Sequence, residues 1–327
     1  VIYESTVYPG TTEDVLIPLI EKYSKLKLNN DFYCGYSPER INPGGSYNDI
    51  SKIVKVTSGS NKISAKFIDN LYRKIIKAGT YSAKSIKVAE GAKVIENCQR
   101  DINIAFINEL FLIFNKLNIN IYDVLNASKT KWNFLDFKPG LVGGHCIGVD
   151  PYYLTYIAKK KKYNPEIILS GRKINDNLHK SLSKKFLSNL SKNEISKKNS
   201  KILIMGFTFK ENCPDIRNTQ ILKFFKNIKK KTKTVHVYDP VADIKEVKKM
   251  YNISLVTNPK KKYYDAIAIM LSHEVFVKIG IRNIKNFGKK MFIYLILRTL
   301  LICIIISDEF SFYFIIFSKF RNNFTYF

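Results

Sequence analysis

From residue 85 to residue 117 the chain holds no proline and a single glycine, Gly91. Its apolar residues Ile102, Ile104, Ala105, Phe106, Leu110, Phe111 and Ile113 cover most of a helical circumference. A long helix that is apolar nearly all round is a buried one, so this segment predicts a spine between two domains or two subunits. The polar residues that interrupt it are regular: Lys93, Asn97 and Asp101 are spaced i, i+4, i+8 and share one face. Polar groups on a buried face need partners, supplied either by a site or by an inter-helix salt bridge.

On the N-terminal side of this spine, short β-rich runs at 1–3, 32–36 and 53–58 alternate with helical patterns at 12–26 and 62–77. This is the rhythm of a parallel sheet with crossover helices. A turn-rich stretch, 129–148, follows the spine, and helical patterns resume at Pro151 and run to about Leu190. After the polar run 191–200 the α/β rhythm restarts, with strands expected at 202–206, 234–238 and 266–270 and helices at 219–228 and 243–250. The expected division is a first α/β domain over 1–83, a central helical domain over 84–199, a second α/β domain over 200–290 and an apolar tail over 291–327. The tail's two runs, 291–306 and 310–317, fall short of the roughly 20 clean apolar residues of a spanning helix, so a buried or aberrant tail is expected rather than a membrane anchor.

At 46% hydrophobic and 13% aromatic residues, the chain is not intrinsically disordered. Its net charge of +27 raises nucleic acid or an anionic surface as a partner. The lysines are scattered through every segment together with Ile, Asn, Tyr and Phe, the set favoured by A/T-rich codons, and no basic helix, zinc-ligand spacing or aromatic RNA-binding signature accompanies them. No nucleic-acid partner and no metal centre are expected. The five cysteines, Cys34, Cys98, Cys146, Cys213 and Cys303, form no CxxC pair, a usage that fits a reducing cytoplasm. The chain starts at Val1 without an initiator Met or a signal-peptide pattern, and reads as one lacking its beginning.

The densest chemical signal is Gly143-Gly144-His145-Cys146-Ile147-Gly148-Val149-Asp150-Pro151, a Cys in a glycine-rich turn just before a helix. The positive end of that helix predicts a thiol shifted toward thiolate. The competing assignment is a small buried Cys, and His145 alone reads as a turn residue. Two further segments follow predicted strands, where α/β sheets bind ligands: Tyr36-Ser37-Pro38-Glu39-Arg40-Ile41-Asn42-Pro43-Gly44-Gly45, and the run from Gly206 to Arg217.

These segments, in this order and together with Glu4-Ser5-Thr6-Val7-Tyr8-Pro9-Gly10-Thr11-Thr12, resemble the nucleotide-sugar 6-dehydrogenases of the UDP-glucose/GDP-mannose dehydrogenase superfamily. Within it the wording is most similar to UDP-N-acetylhexosamine 6-dehydrogenases of the Vi-polysaccharide and O-antigen type, over about residues 1–285. The resemblance implies two Rossmann-like domains joined by a long central helix, with the N-terminal domain truncated. It implies NAD as cofactor, a UDP-N-acetylhexosamine as substrate, a homodimer built on the central helix, and a uronic acid product for surface polysaccharide.

Residue by residue, the resemblance implies that Cys146 is the nucleophile, passing through a thiohemiacetal and a thioester. Lys93 and Asn97 match residues that hold the oxyanion, Asp150 a carboxylate that works with the Lys on water and protons, and Glu39 a residue of thioester hydrolysis. Phe137, Lys138, Pro139, Gly140 and Gly143 match a loop closing on the sugar nucleotide. Phe209 and Lys210 match substrate contacts from the C-terminal domain. Ser5, Thr6, Val7 and Arg217 match positions on the NAD side.

Two departures stand beside this. No G-x-G-x-x-G occurs in the 327 residues, although the family's cofactor turn has that form. The resemblance also fades after about Lys290, as a shifted reading frame would cause. The competing expectation is therefore an inactive fragment that keeps UDP-sugar binding or dimerisation only.

Overall fold

The computed structural model describes residues 1–41 and 50–296. The second half of the Tyr36-to-Gly45 turn, and the apolar tail beyond residue 296 with Cys303 and the 310–317 run, lie outside the described residues.

The chain opens with β1 (Ile2–Tyr3), a wide π-type turn at Thr12–Leu16 and α1 (Ile17–Ser24), then β2 (Gly35–Tyr36), β3 (Lys55–Gly59), α2 (Lys62–Arg73) and β4 (Thr80–Ser82). The strands form a sheet in the order β1-β2-β3-β4. Pairs β1–β2 and β3–β4 are parallel, but β2–β3 is antiparallel, which corrects the expectation of an all-parallel sheet. A parallel pair needs a long crossover, usually a helix. Among its described residues the β2-to-β3 link holds only the short turn Ile50–Lys52.

The spine is α3 (Ile86–Lys116), whose N-cap Ser85 accepts from the Val88 N–H through its hydroxyl, as an N-cap should. It serves two cores. Ile86 and Ala89 near its start pack with Tyr36, Val56 and Ala83 of the first sheet, whereas Ile107 and Phe111 near its end join a larger core with the second sheet. There follow α4 (Ile121–Ser128), α5 (Asp150–Lys160) and α6 (Glu166–Lys192). Gly171 of α6 faces Ala105 of α3, where a Cβ would make an ordinary van der Waals contact at 3.5 Å.

The second α/β unit comprises β5 (Lys201–Met205), α7 (Ile221–Lys229), β6 (Thr234–Tyr238), α8 (Ile244–Tyr251), β7 (Tyr264–Ile269), α9 (Glu274–Lys285) and β8 (Gly288–Ile296). Its sheet order is β6-β5-β7-β8 and every pair is parallel. Ile202, Leu203, Ile204 and Met205 are all fully buried, as a strand covered on both faces requires. Residues 291–296, counted with the apolar tail in the expected division, supply backbone of β8, paired with β7 from Ala266↔Ile293 to Ile269↔Ile296. Among the described residues no helix is long and apolar enough to cross a membrane.

Candidate active site

The glycine-rich turn lies where α3, α5 and the second α/β unit meet. The Cys146 carbonyl accepts from the N–H groups of Val149 (3.0 Å) and Asp150 (2.8 Å), so the turn closes just as α5 begins. Asp150 is buried, and its Oδ2 accepts a 2.6 Å hydrogen bond from Asn97 Nδ2 on α3. Lys93, one turn earlier on that face, is half-buried, and its positive charge acts on both Cys146 and Asp150. The third polar residue of the stripe parts company: Asp101 accepts from Arg172 Nη1 and Asn175 Nδ2, both at 2.7 Å, in an inter-helix pair with α6. The stripe thus divides: Lys93 and Asn97 lie beside the Cys146 turn, and Asp101 makes the inter-helix salt bridge.

The same face carries a residue that sequence reasoning missed. Asn108 holds Gly140 by both backbone groups, accepting from its N–H at 2.8 Å and donating to its carbonyl at 3.0 Å. Its position seven residues after Asp101 was the available signal, since two turns return a side chain to the same face. Pro139 and Gly140 are buried, while Phe137 packs against the larger core. Lys138 is half-buried.

The loop then presses on the C-terminal unit. Gly144 has φ +80°, and a Cβ there would lie 2.8 Å from the Phe209 ring; a Cβ on Gly143 would lie 3.1 Å from the Asn218 carbonyl oxygen. Glycine meets both demands, the left-handed backbone and the close approach. His145 faces the ring of Phe209 with centroids 6.2 Å apart. Its Nδ1 is 3.2 Å from Cys146 Sγ and its Nε2 is 3.5 Å from Asp215 Oδ2. Arg217 binds the same Asp215, with Nη2 at 2.6 Å from Oδ2 and Nε at 3.0 Å from both carboxylate oxygens. Lys210 is half-buried, and its carbonyl accepts from Thr208 Oγ1 at 2.9 Å. A cleft of about 320 Å³ runs behind the loop, bounded by Gly148, Tyr152, Arg172, Asn218 and Lys223.

The electrostatics overturn one expectation. Burial pushes the Cys146 thiol up, and Asp150 adds to the rise; Lys93 and Arg217 oppose it without reversing it. The helix-dipole argument fails because the dipole acts within the first turn, whereas Cys146 precedes α5 by four residues and faces a carboxylate. Burial likewise pushes the Asp150 carboxyl up, against the Asn97 hydrogen bond and the charges of Lys93 and His145. Burial raises Asp215 less than the Arg217 hydrogen bond lowers it, and its carboxyl is held below the ordinary range.

Other expected site residues stand apart. Glu39 is exposed and turns back on its own loop, its Oε1 accepting from the N–H groups of Arg40 and Ile41, both at 2.6 Å. Ser5 is exposed just beyond β1, and Thr6 and Val7 are half-buried, with Val7 packed against the first core.

For a dinucleotide the fit is incomplete. The turn at Gly10 leads into the first helix and could have offered its amides to a phosphate. Those amides are already taken: Gly10 N–H donates to Glu90 Oε2 at 2.6 Å and Thr12 N–H to Glu90 Oε1 at 2.8 Å, with Glu90 fully buried. With no G-x-G-x-x-G in the sequence, the described residues offer a polar edge at Ser5 and Thr6 but no pyrophosphate cradle. Among the described residues no group of three or more His, Cys, Asp or Glu is placed to hold a metal ion.

Comparison with known proteins agrees with this layout. Residues 1–76 match the NAD binding domain of the UDP-glucose/GDP-mannose dehydrogenase family, 87–177 its central domain and 203–299 its UDP binding domain. UDP-N-acetyl-D-glucosamine 6-dehydrogenases from Salmonella typhi and Pseudomonas aeruginosa are 53% and 50% identical over 289 residues, in each case 88% of this chain and 68% of the relative. The solved structure of a UDP-D-ManNAc dehydrogenase from Pyrococcus horikoshii superposes with a TM-score of 0.80 at 29% identity, covering 91% of this chain and 68% of that one.

Proposed function

The chain belongs to the UDP-glucose/GDP-mannose dehydrogenase family, and from that premise we propose that it oxidises the C6 hydroxyl of a UDP-N-acetylhexosamine to the uronic acid, for surface polysaccharide. NAD, the family's cofactor, supplies the hydride acceptor when bound. The observation that carries the reading is the convergence of Lys93, the Asn97–Asp150 pair and the Cys146 loop at the edge of the UDP-binding-type domain.

In this reading the Cys146 sulfur attacks the C6 aldehyde, so the aldehyde cannot escape between the two oxidations. The Lys93 ammonium, which acts on the thiol and on Asp150, offsets the oxyanion that forms. Asn97 fixes Asp150, whose raised carboxyl is suited to pass a proton to or from the hydrolytic water alongside Lys93. The 137–143 loop, pinned at Gly140 by Asn108, and the Phe209–Lys210 segment bound the sugar-nucleotide side, and Glu39 would have to release the Arg40 and Ile41 amides to serve thioester hydrolysis. Ser5, Thr6, Val7 and Arg217 are the residues that would contact the cofactor when it is bound.

The working unit is a homodimer through α3. Val88, Ile95, Phe106, Ile113 and Leu117 are exposed large apolar residues at steps of seven, eleven, seven and four, which places them on one stripe of that helix. The free thiols of Cys34, Cys98, Cys146 and Cys213 suit a reducing, cytoplasmic setting. A second reading, UDP-sugar binding or dimerisation without turnover, is favoured by one observation, the commitment of the Gly10 and Thr12 amides to Glu90.

The test supplies a strand–glycine-turn–helix unit ahead of Val1 and a family-like C-terminus, then offers UDP-N-acetylglucosamine and NAD. NADH and the uronic acid are expected, and Cys146→Ser should abolish the acid. Full acid formation by the Ser variant would overturn the covalent route.

A further inference from the structure

We propose that His145 is the base that takes the Cys146 thiol proton, and that Asp215 of the second α/β unit is the residue that positions it. The inference rests on Cys146 being the nucleophile. It starts from a mismatch: the thiol sits half-buried beside a carboxylate, so the thiolate that must attack is not the resting form. Something next to the sulfur has to accept the proton. Lys93 is a cation and can only stabilise the product of that transfer, and among the described residues no hydrogen bond joins Asp150 to the sulfur, whereas one joins the sulfur to His145.

His145 has the required geometry. Nδ1 lies 3.2 Å from Sγ, within hydrogen-bond reach for sulfur, and Nε2 lies 3.5 Å from Asp215 Oδ2 on the opposite side of the ring. A neutral imidazole with its hydrogen on Nε2, directed at the carboxylate, leaves the Nδ1 lone pair toward the thiol. Arg217 holds Asp215 in its ionised form; at 3.5 Å the carboxylate makes no hydrogen bond to the ring, but its negative charge favours that tautomer and stabilises the imidazolium that results. The charged groups facing the pair are Lys93 from α3, Asp150 at the start of α5, and Asp215 and Arg217 from the second unit. Because His145 is in the central loop and Asp215 lies seventy residues later, the base is aligned only when the two parts are docked.

The proton and electron count closes. The S–H bond breaks and an N–H bond forms at Nδ1. The sulfur pair forms the S–C6 bond while the C6=O π pair moves to oxygen. A bound nicotinamide cofactor would supply the acceptor for the C6 hydride, leaving the thioester. On hydrolysis a water oxygen forms a bond to C6 as the C–S bond breaks, the water's proton passes to Asp150, and sulfur departs with the pair and recovers its proton from Nδ1.

Labelling of Cys146 by iodoacetamide, followed on its peptide by mass spectrometry across pH, tests this without cofactor or turnover. His145→Gln should slow labelling at pH 7 on the order of tenfold, and the variant should converge on wild type near pH 10.5, where hydroxide replaces the side-chain base. Asp215→Asn should show a smaller loss with the same convergence. Equal rates at pH 7, or a deficit that persists unchanged at pH 10.5 as blocked access would give, overturns the proposal. Acid formation by Cys146→Ser would instead sink the covalent route while leaving the labelling result intact, so the two failures are separable.

Discussion

Asn97 Nδ2 donates a 2.6 Å hydrogen bond to Asp150 Oδ2, tying the middle of the central helix to the residue that opens α5, fifty-three positions later. Both groups are buried, so the bond is not exchanged for one to water when it is lost. Asn97→Ala should lower stability by about 1–3 kcal/mol, read as a drop in the denaturant midpoint. Asn97→Asp should raise the Asp150 carboxyl further, because two carboxylates would then share one site. If Asn97→Ala leaves the midpoint unchanged, the two residues are not coupled.

The loop–domain contact predicts a second effect. Gly144→Ala must place an L side chain at φ +80°, costing roughly 1–2 kcal/mol, and must also displace the Phe209 ring. In a double-mutant cycle, Phe209→Ala should recover the second part and not the first. Strict additivity would show that the loop and the second domain do not press on one another here.

A buried pair in the second α/β unit sets a pH dependence. Asp239 Oδ2 accepts from the N–H groups of Phe207 (2.5 Å) and Thr208 (3.0 Å) and lies 3.2 Å from His273 Nε2. His273 Nδ1 accepts from the Asn212 N–H at 2.9 Å, so its hydrogen is on Nε2, toward the carboxylate. Burial pushes the Asp239 carboxyl up, but His273 and the two backbone donors outweigh it and hold it below the ordinary range. A depressed folded value means that the native state binds fewer protons than the unfolded chain. The stabilisation is therefore complete above about pH 4 and is lost as pH falls toward the depressed value. Asp239→Asn should cost on the order of 3 kcal/mol at pH 7, with the gap to wild type closing in acid. A gap independent of pH would contradict the assignment.

The apolar stripe on α3 predicts association. Phe106, 54% exposed, lies mid-stripe, and Phe106→Glu should convert the dimer to monomer in analytical ultracentrifugation. A wild-type chain that is monomeric at micromolar concentration would refute the dimer.

The commitment of the Gly10 and Thr12 amides predicts that these 327 residues by themselves hold NAD too weakly for turnover. With the Gly10 and Thr12 amides on Glu90, the contacts at Ser5, Thr6, Val7 and Arg217 are too few to hold NAD. No NADH should form from a UDP-sugar, whereas a fusion that carries a strand–glycine-turn–helix unit ahead of Val1 and a family-like C-terminus should turn over. Robust NADH production by the shorter polypeptide would show that other groups bind the pyrophosphate.

Much of this arrangement was readable from residue order. The long helix at Ile86–Lys116 follows from a proline-free apolar run, and β5, β6 and β7 from short apolar segments between turns. The shared face of Lys93 and Asn97 follows from a period of 3.6. These are local properties: periodicity, propensity and turn chemistry act over a few residues and are written in the chain. Tertiary structure decided what depends on partners distant in sequence. It split Asp101 from its neighbours because Arg172 and Asn175 reach it from α6, and it reversed β2 against β3. It drew residues 291–296 into a sheet whose open edge needed a strand. Above all, it set the state of Cys146. A helix N-terminus nearby argues for a thiolate, but the pKa of a group is fixed by how much water it loses and which charges surround it, and both come from packing rather than from order along the chain.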